Sequence, residues 1–240
     1  MEGYANPYTV AAQSENVRTA FIKKTYLHVA GAIAAFTLLE IIFFQIPAMM
    51  SLAETMATSG MGWLLVLAAF MVVSFIADKW ARSSTSQGMQ YAGLGLYVVA
   101  EAIIFLPLLY IANMYATMVP GCEGIITEAA VLTLLMVAGL TVIVFTTKKD
   151  FSFMGGFLKI AFFVALGIIV ASFVAGFQLG WIFSAAMILL ASGSILYTTS
   201  NILHHYRTDQ YVAASLSLFA GVALLFWYVL QLLMQLANND

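Results

Sequence analysis

"SILYTTSNILHHYRTDQYVAASLSLFAGVALLFWYV", Ser194 to Val229, reads as the ends of two long apolar runs joined by a short polar loop. Extended outward, the runs cover residues 179–200 and 210–236. A helix needs roughly 20 apolar residues to cross about 30 Å of hydrocarbon, and each run is long enough. The pair is therefore two membrane helices and a tight connection. Its one acid is Asp209, in the loop.

The same reading extends to the whole chain. Hydrophobic residues make up 63% of it and charged residues 8%, with a mean hydropathy of +0.98. A soluble domain carries about a quarter charged residues, so this composition cannot build a water-facing surface. Further spans fall at 25–46, 62–81, 89–113, 124–147 and 154–175, giving seven. They lack the strict alternation of barrel strands and are far too long for them, so the fold class is an all-α membrane protein. A polar arm over residues 1–20 precedes a single seven-helix domain over 21–240, with no cleavable secretory signal in view.

Charge sets the expected orientation. With seven spans, Arg18, Lys23, Lys24, Lys79, Arg82, Lys148, Lys149, Lys159 and Arg207 all fall on the side of the N-terminus. The opposite connections, around 47–61, 114–123 and 176–178, hold no Lys or Arg. Basic residues stay cytoplasmic, so the N-terminus is expected inside and the tail Ala237–Asp240 outside. The short loops and the lack of a targeting segment point to a bacterial plasma membrane. A net charge of −2 argues against a nucleic-acid partner. Cys122, the single cysteine, has no intramolecular partner and reads as a thiol in an outer loop.

An ionisable group in hydrocarbon costs a few kcal/mol and so calls for a reason. Glu101, in "LYVVAEAIIFLPLLY", lies near the middle of the third span, and Glu40, in "FTLLEIIFF", in the outer half of the first. Pro107 frees a backbone carbonyl close to Glu101, which favours a polar patch able to hold water or a cation. The alternative is that a neighbouring Tyr or Ser holds Glu101 and the group fixes helix packing. Glu40 is shallow enough to reach the outer interface.

The histidines offer little chemistry. His28, His204 and His205 gather toward the cytoplasmic side, but adjacent histidines on a helix end point about 100° apart and no carboxylate accompanies them at ligand spacing. No metal site or cofactor is expected. His204 and His205, with Asp209, suit a pH-sensing or cytoplasmic contact role, or simply a place at the headgroups. Ser194 and His204 lie roughly 15 Å apart along a continuing helix, too far for a nucleophile and its base, so the chain does not read as an enzyme. Ala213, Ser217 and Gly221 recur every four residues and make a small-residue seam along the last span.

Four stretches carry a resemblance: "FIKKTYLHVAGAIAAF", "GLGLYVVAEAIIFLPLLYIA", "ILYTTSNILHHY" and "YVAASLSLFAGVALLFWYVLQLL". In their order and spacing the chain resembles the Bax inhibitor, or transmembrane Bax inhibitor motif, family. The resemblance implies six helices around a central seventh and a calcium leak gated by pH. It also implies a gating pair of aspartates, two carboxylates sharing one proton. Here the matching positions are Thr198 and Gly221, and neither is an acid. The expected function is thus a calcium or cation leak that lacks the di-aspartate gate, with Glu101, Glu40, Thr198 and Gly221 along the path. The alternative is a regulatory protein embedded in the bilayer, acting on a membrane protease or a stress or cell-death response without transport. Its contacts would be the polar arm and the "HHYRTDQ" loop.

Overall fold

The computed structural model describes residues 8–83 and 85–238. Its helices are α1 (Glu15–Phe43), α2 (Pro47–Thr58), α3 (Gly60–Ala81), α4 (Gln87–Met118), α5 (Ile125–Thr147), α6 (Met154–Ala175), α7 (Trp181–His204) and α8 (Tyr211–Ala237). Among the described residues, all but α2 are long and apolar enough to span a membrane. The protein is an all-α, seven-span membrane protein.

Local chemistry explains most boundaries. Ser59 and Ser86 stand just before α3 and α4, and their hydroxyls accept the Gly62 and Met89 N–H groups. Gly176 ends α6 in the left-handed conformation, φ 72°. Two boundaries depart from the hydropathy reading. The connection 47–61 is not an irregular loop, since it holds α2, opened by Pro47 in its first turn. α1 starts at Glu15, about ten residues before the first span was expected and inside the polar arm, because a helix continues past the hydrocarbon wherever its polar residues still favour it.

α4 and α8 run through the middle of the bundle and carry most of its buried side chains. α8 packs on α1, α3, α4, α5 and α7, while α6 lies outside against α7. Ala165, Met187 and Tyr228 join α6 to α8 through α7. Aromatic rings fill the centre: Phe105 stacks on Phe226 and meets Trp227 and Phe36 edge-on. α6 turns Phe157, Ile160, Phe163 and Val174 outward, as a lipid-facing helix does.

One end of the bundle gathers the N-terminal segment, the end of α3, the α5–α6 loop and the α7–α8 loop. Lys24 lies over the Tyr211 ring, Arg82 reaches Ser217, and Asp150 meets His205. The segment before α1 docks here too. Thr9 bridges to Arg207, the Val10 N–H donates to the Tyr206 carbonyl at 2.9 Å, and Val10 is fully buried. The polar arm and the α7–α8 loop, both expected to face a partner, thus hold each other. At the opposite end Cys122 is packed into the core at 8% exposure, so it is not an exposed loop thiol.

Candidate functional site

Glu101 sits half-way along α4 and is 6% exposed. It borders a cavity of about 760 Å³ lined by α3, α4, α6, α7 and α8, with Met56 and Ala57 of α2 at its edge. That volume is within the range of ligand sites in proteins, roughly 300–1,000 Å³. Tyr97, one turn earlier on α4, lines the same cavity beside Glu101. Pro107 also faces the cavity, inside an otherwise continuous helix.

Polar groups line both ends. Toward the α2 end, Gln231 and Gln178 line the wall, and the Ser184 hydroxyl donates to Gln235 Oε1 at 2.9 Å. Gln235 in turn donates to the Leu179 carbonyl at 3.0 Å. Toward the basic end, Ser217 lines the floor, and its hydroxyl oxygen accepts from Tyr206 at 3.1 Å and from Arg82 Nη2 at 3.3 Å. Arg82 Nε is shared between both oxygens of Asp78 at 2.8 and 2.9 Å. The Arg82–Asp78 ion pair thus stands just beyond the Ser217 wall of the cavity.

A family described as "Inhibitor of apoptosis-promoting Bax1" matches this chain over residues 18–238. The chain belongs to the Bax inhibitor family. Bax inhibitor 1 of Schizosaccharomyces pombe is 29% identical over 242 residues, covering 100% of this chain and 85% of the yeast protein. The modulator of FtsH protease YccA of Escherichia coli K12 is 31% identical over 175 residues, 72% of this chain and 74% of its own length. An uncharacterised protein of Pseudomonas aeruginosa is 39% identical over 125 residues, a match that spans 54% of that protein.

The structure brings only part of the expected Bax inhibitor pathway together. Glu101 and Gly221 share the cavity. A Cβ at Gly221 would lie 3.1 Å from Ile195 Cγ1, so α7 rests directly on this glycine. Thr198 is buried one turn further along α7 and is not among the residues lining the cavity. Glu40 is buried elsewhere, at 6% exposure, and neither carboxyl oxygen has a hydrogen-bond partner among the described residues. It does not reach an exposed interface as its depth suggested.

The histidines and Asp209 lie at the basic end. His204 Nδ1–H donates to the Ser200 carbonyl at 2.9 Å, and Asp209 pairs with Arg207 at 2.9 Å. His205 Nε2–H donates to Asp150 Oδ2 at 2.8 Å. Asp150 also accepts the Ser152 N–H at 2.9 Å, and Ser200 accepts the Phe151 N–H at 2.8 Å. Slight burial pulls the Asp150 pKa up, but the Ser152 amide and His205 outweigh it and hold the carboxyl down at about 2. Sequence reasoning missed Asp150, Arg82 and Tyr206. Asp150 and His205 are 55 residues apart, and only the packed helices make them neighbours.

Proposed function

We propose that this Bax inhibitor family member is a cation leak pathway, with calcium as the ion, whose route is the cavity at Glu101. The observation that carries the reading is one buried carboxyl bordering a 760 Å³ cavity with polar groups at both ends. A carboxylate with side-chain and carbonyl oxygens nearby is the ligand chemistry a hard cation accepts. The hydrogen bonds of Arg82 and Tyr206 to Ser217 narrow the route at the basic end without sealing it. That end faces the cytoplasm of a bacterial plasma membrane, with the N-terminus inside, in keeping with the one-sided lysines and arginines.

The test is calcium flux into liposomes containing the full chain, at pH 6 and pH 8. Flux is expected at both, with little difference between them, because the gating acids are replaced by Thr198 and Gly221. Glu101→Gln keeps the shape and removes the charge, and is expected to cut flux at least tenfold. Unchanged flux in that variant removes Glu101 from the route, and no flux in the native chain ends the transport reading.

A second reading has one specific observation behind it. A relative matching 72% of this chain bears the name of a modulator of the FtsH protease. On this reading the chain regulates a membrane protease without transporting anything. Affinity capture in mild detergent tests it, and failure to retain any membrane protease counts against it.

A further inference from the structure

On the outside of the bundle, α1 and α4 leave a groove of about 630 Å³ between them, separate from the Glu101 cavity. Gly31 and Ala35 of α1 and Gly95 of α4 form part of its floor. A side chain at Gly31 or Gly95 would meet nothing within 4 Å. Glycine is a poor residue for a helix, and at these two places no neighbour within the chain requires it. Both open onto the same groove from different helices, which keeps the groove deep.

The groove is closed at one end by a polar, basic cluster. His28 Nδ1–H donates to the Lys24 carbonyl at 2.7 Å, which leaves Nε2 for the Tyr91 hydroxyl at 3.0 Å. The His28 ring stacks on Tyr91 and touches Tyr211. Lys24 Nζ stands 5.3 Å from the centre of the Tyr211 ring, and no carboxylate among the described residues pairs with it. From His28 to Ile42 the groove follows α1 for about 21 Å, more than the ~15 Å depth of one leaflet's hydrocarbon.

We propose that this groove holds one anionic phospholipid, its acyl chain along Gly31 and Gly95 and its phosphate at the Lys24 ammonium. The walls are apolar along the length of a leaflet, as an acyl chain requires. The Lys24 ammonium, with no carboxylate partner among the described residues, stands at one end only and matches a negative phosphate.

The experiment is native mass spectrometry of the full chain in mild detergent, with phosphatidylglycerol or phosphatidylcholine added. One phosphatidylglycerol is expected to stay bound in preference to phosphatidylcholine. Lys24→Gln is expected to weaken phosphatidylglycerol retention roughly fivefold and leave phosphatidylcholine unchanged. Gly95→Leu fills the groove where the chain leaves space, and is expected to reduce retention of either lipid at least tenfold. Gly139→Leu, at a glycine of α5 with equally open surroundings, is the folding control and is expected to retain lipid as the native chain does. Equal retention of the two lipids overturns the proposal, as does full retention in Gly95→Leu. A dimer that Gly95→Leu converts to monomer, with lipid retention unaltered, assigns the groove to a second copy instead.

Discussion

Replacing Gly93 with alanine adds one methyl group at the tightest helix contact the glycines make. The new Cβ would stand 2.5 Å from the Ala77 carbonyl oxygen, 2.6 Å from the Ala81 nitrogen and 3.0 Å from Trp80 Cβ. Two of these atoms are backbone and cannot rotate away, so α3 must retreat from α4 by about 1 Å to restore ordinary contact distances. Overpacking of this kind costs about 1–3 kcal/mol, and the better helix propensity of alanine returns up to about 1 kcal/mol. The expected net loss is about 1–2 kcal/mol. Equilibrium unfolding in mixed detergent and SDS measures it, with Gly139→Ala as a control, since nothing lies within 4 Å of that position.

The same displacement has a second readout. Arg82 follows directly on Ala81, and its 3.3 Å bond to Ser217 has little distance to spare. A retreat of about 1 Å exceeds hydrogen-bond range and leaves Tyr206 alone on Ser217. Calcium flux is therefore expected to rise as stability falls. If Gly93→Ala unfolds at the native midpoint, the close approach of α3 and α4 is not a real constraint and the reasoning fails.

Ser217→Ala removes the acceptor shared by Arg82 and Tyr206. It is expected to lower stability by about 1 kcal/mol and raise liposome flux severalfold, and unaltered flux would detach this floor from any gate. Asp150 has a depressed pKa, so its contribution is complete above its ordinary value of 3.8 and is lost as the pH falls through about 2. The protection of the Ser152 amide from hydrogen exchange, relative to an unstructured amide at the same pH, is expected to fall between about pH 4 and pH 2 in the native chain, and to be low throughout in Asp150→Ala. Val10→Asp puts a carboxylate where an isopropyl group is fully buried, at a cost of several kcal/mol, enough to detach the segment before α1. Limited proteolysis is then expected to cleave there first, and native-like resistance would contradict the docking.

How much of this was legible beforehand follows from the range of each interaction. The seven spans were legible because hydropathy is a property of consecutive residues. α2 was passed over because its 12 residues are too few to cross a bilayer, although Pro47 marks its start. Glu101 stood out by its cost in hydrocarbon, and Tyr97 lies four residues away on the same helix face. Glu40 has the same cost, yet it does not border the Glu101 cavity. That difference depends on how α1 turns against its neighbours. The floor at Ser217 depends on the relative register of α3 and α8, and Arg82 is 135 residues from its partner. No periodicity within either helix encodes that register.

The two missing aspartates are better understood together with the packing that replaces them. At Gly221 a single methyl would touch the Ile195 side chain of α7 at 3.1 Å. A carboxyl there needs that side chain to give way. The glycine thus goes with a tighter α7–α8 contact, the most extensive helix contact in the bundle. Thr198, on the same tightened helix, is buried rather than presented to the cavity. On the proposed leak route, closure then falls to Ser217, which binds Arg82 and Tyr206 by hydrogen bonds. A floor built this way responds to movement of α3 against α8 rather than to a shared proton. The helix contact at Gly93 and the hydroxyl at Ser217 are therefore the two places where one small substitution reports on the same closure.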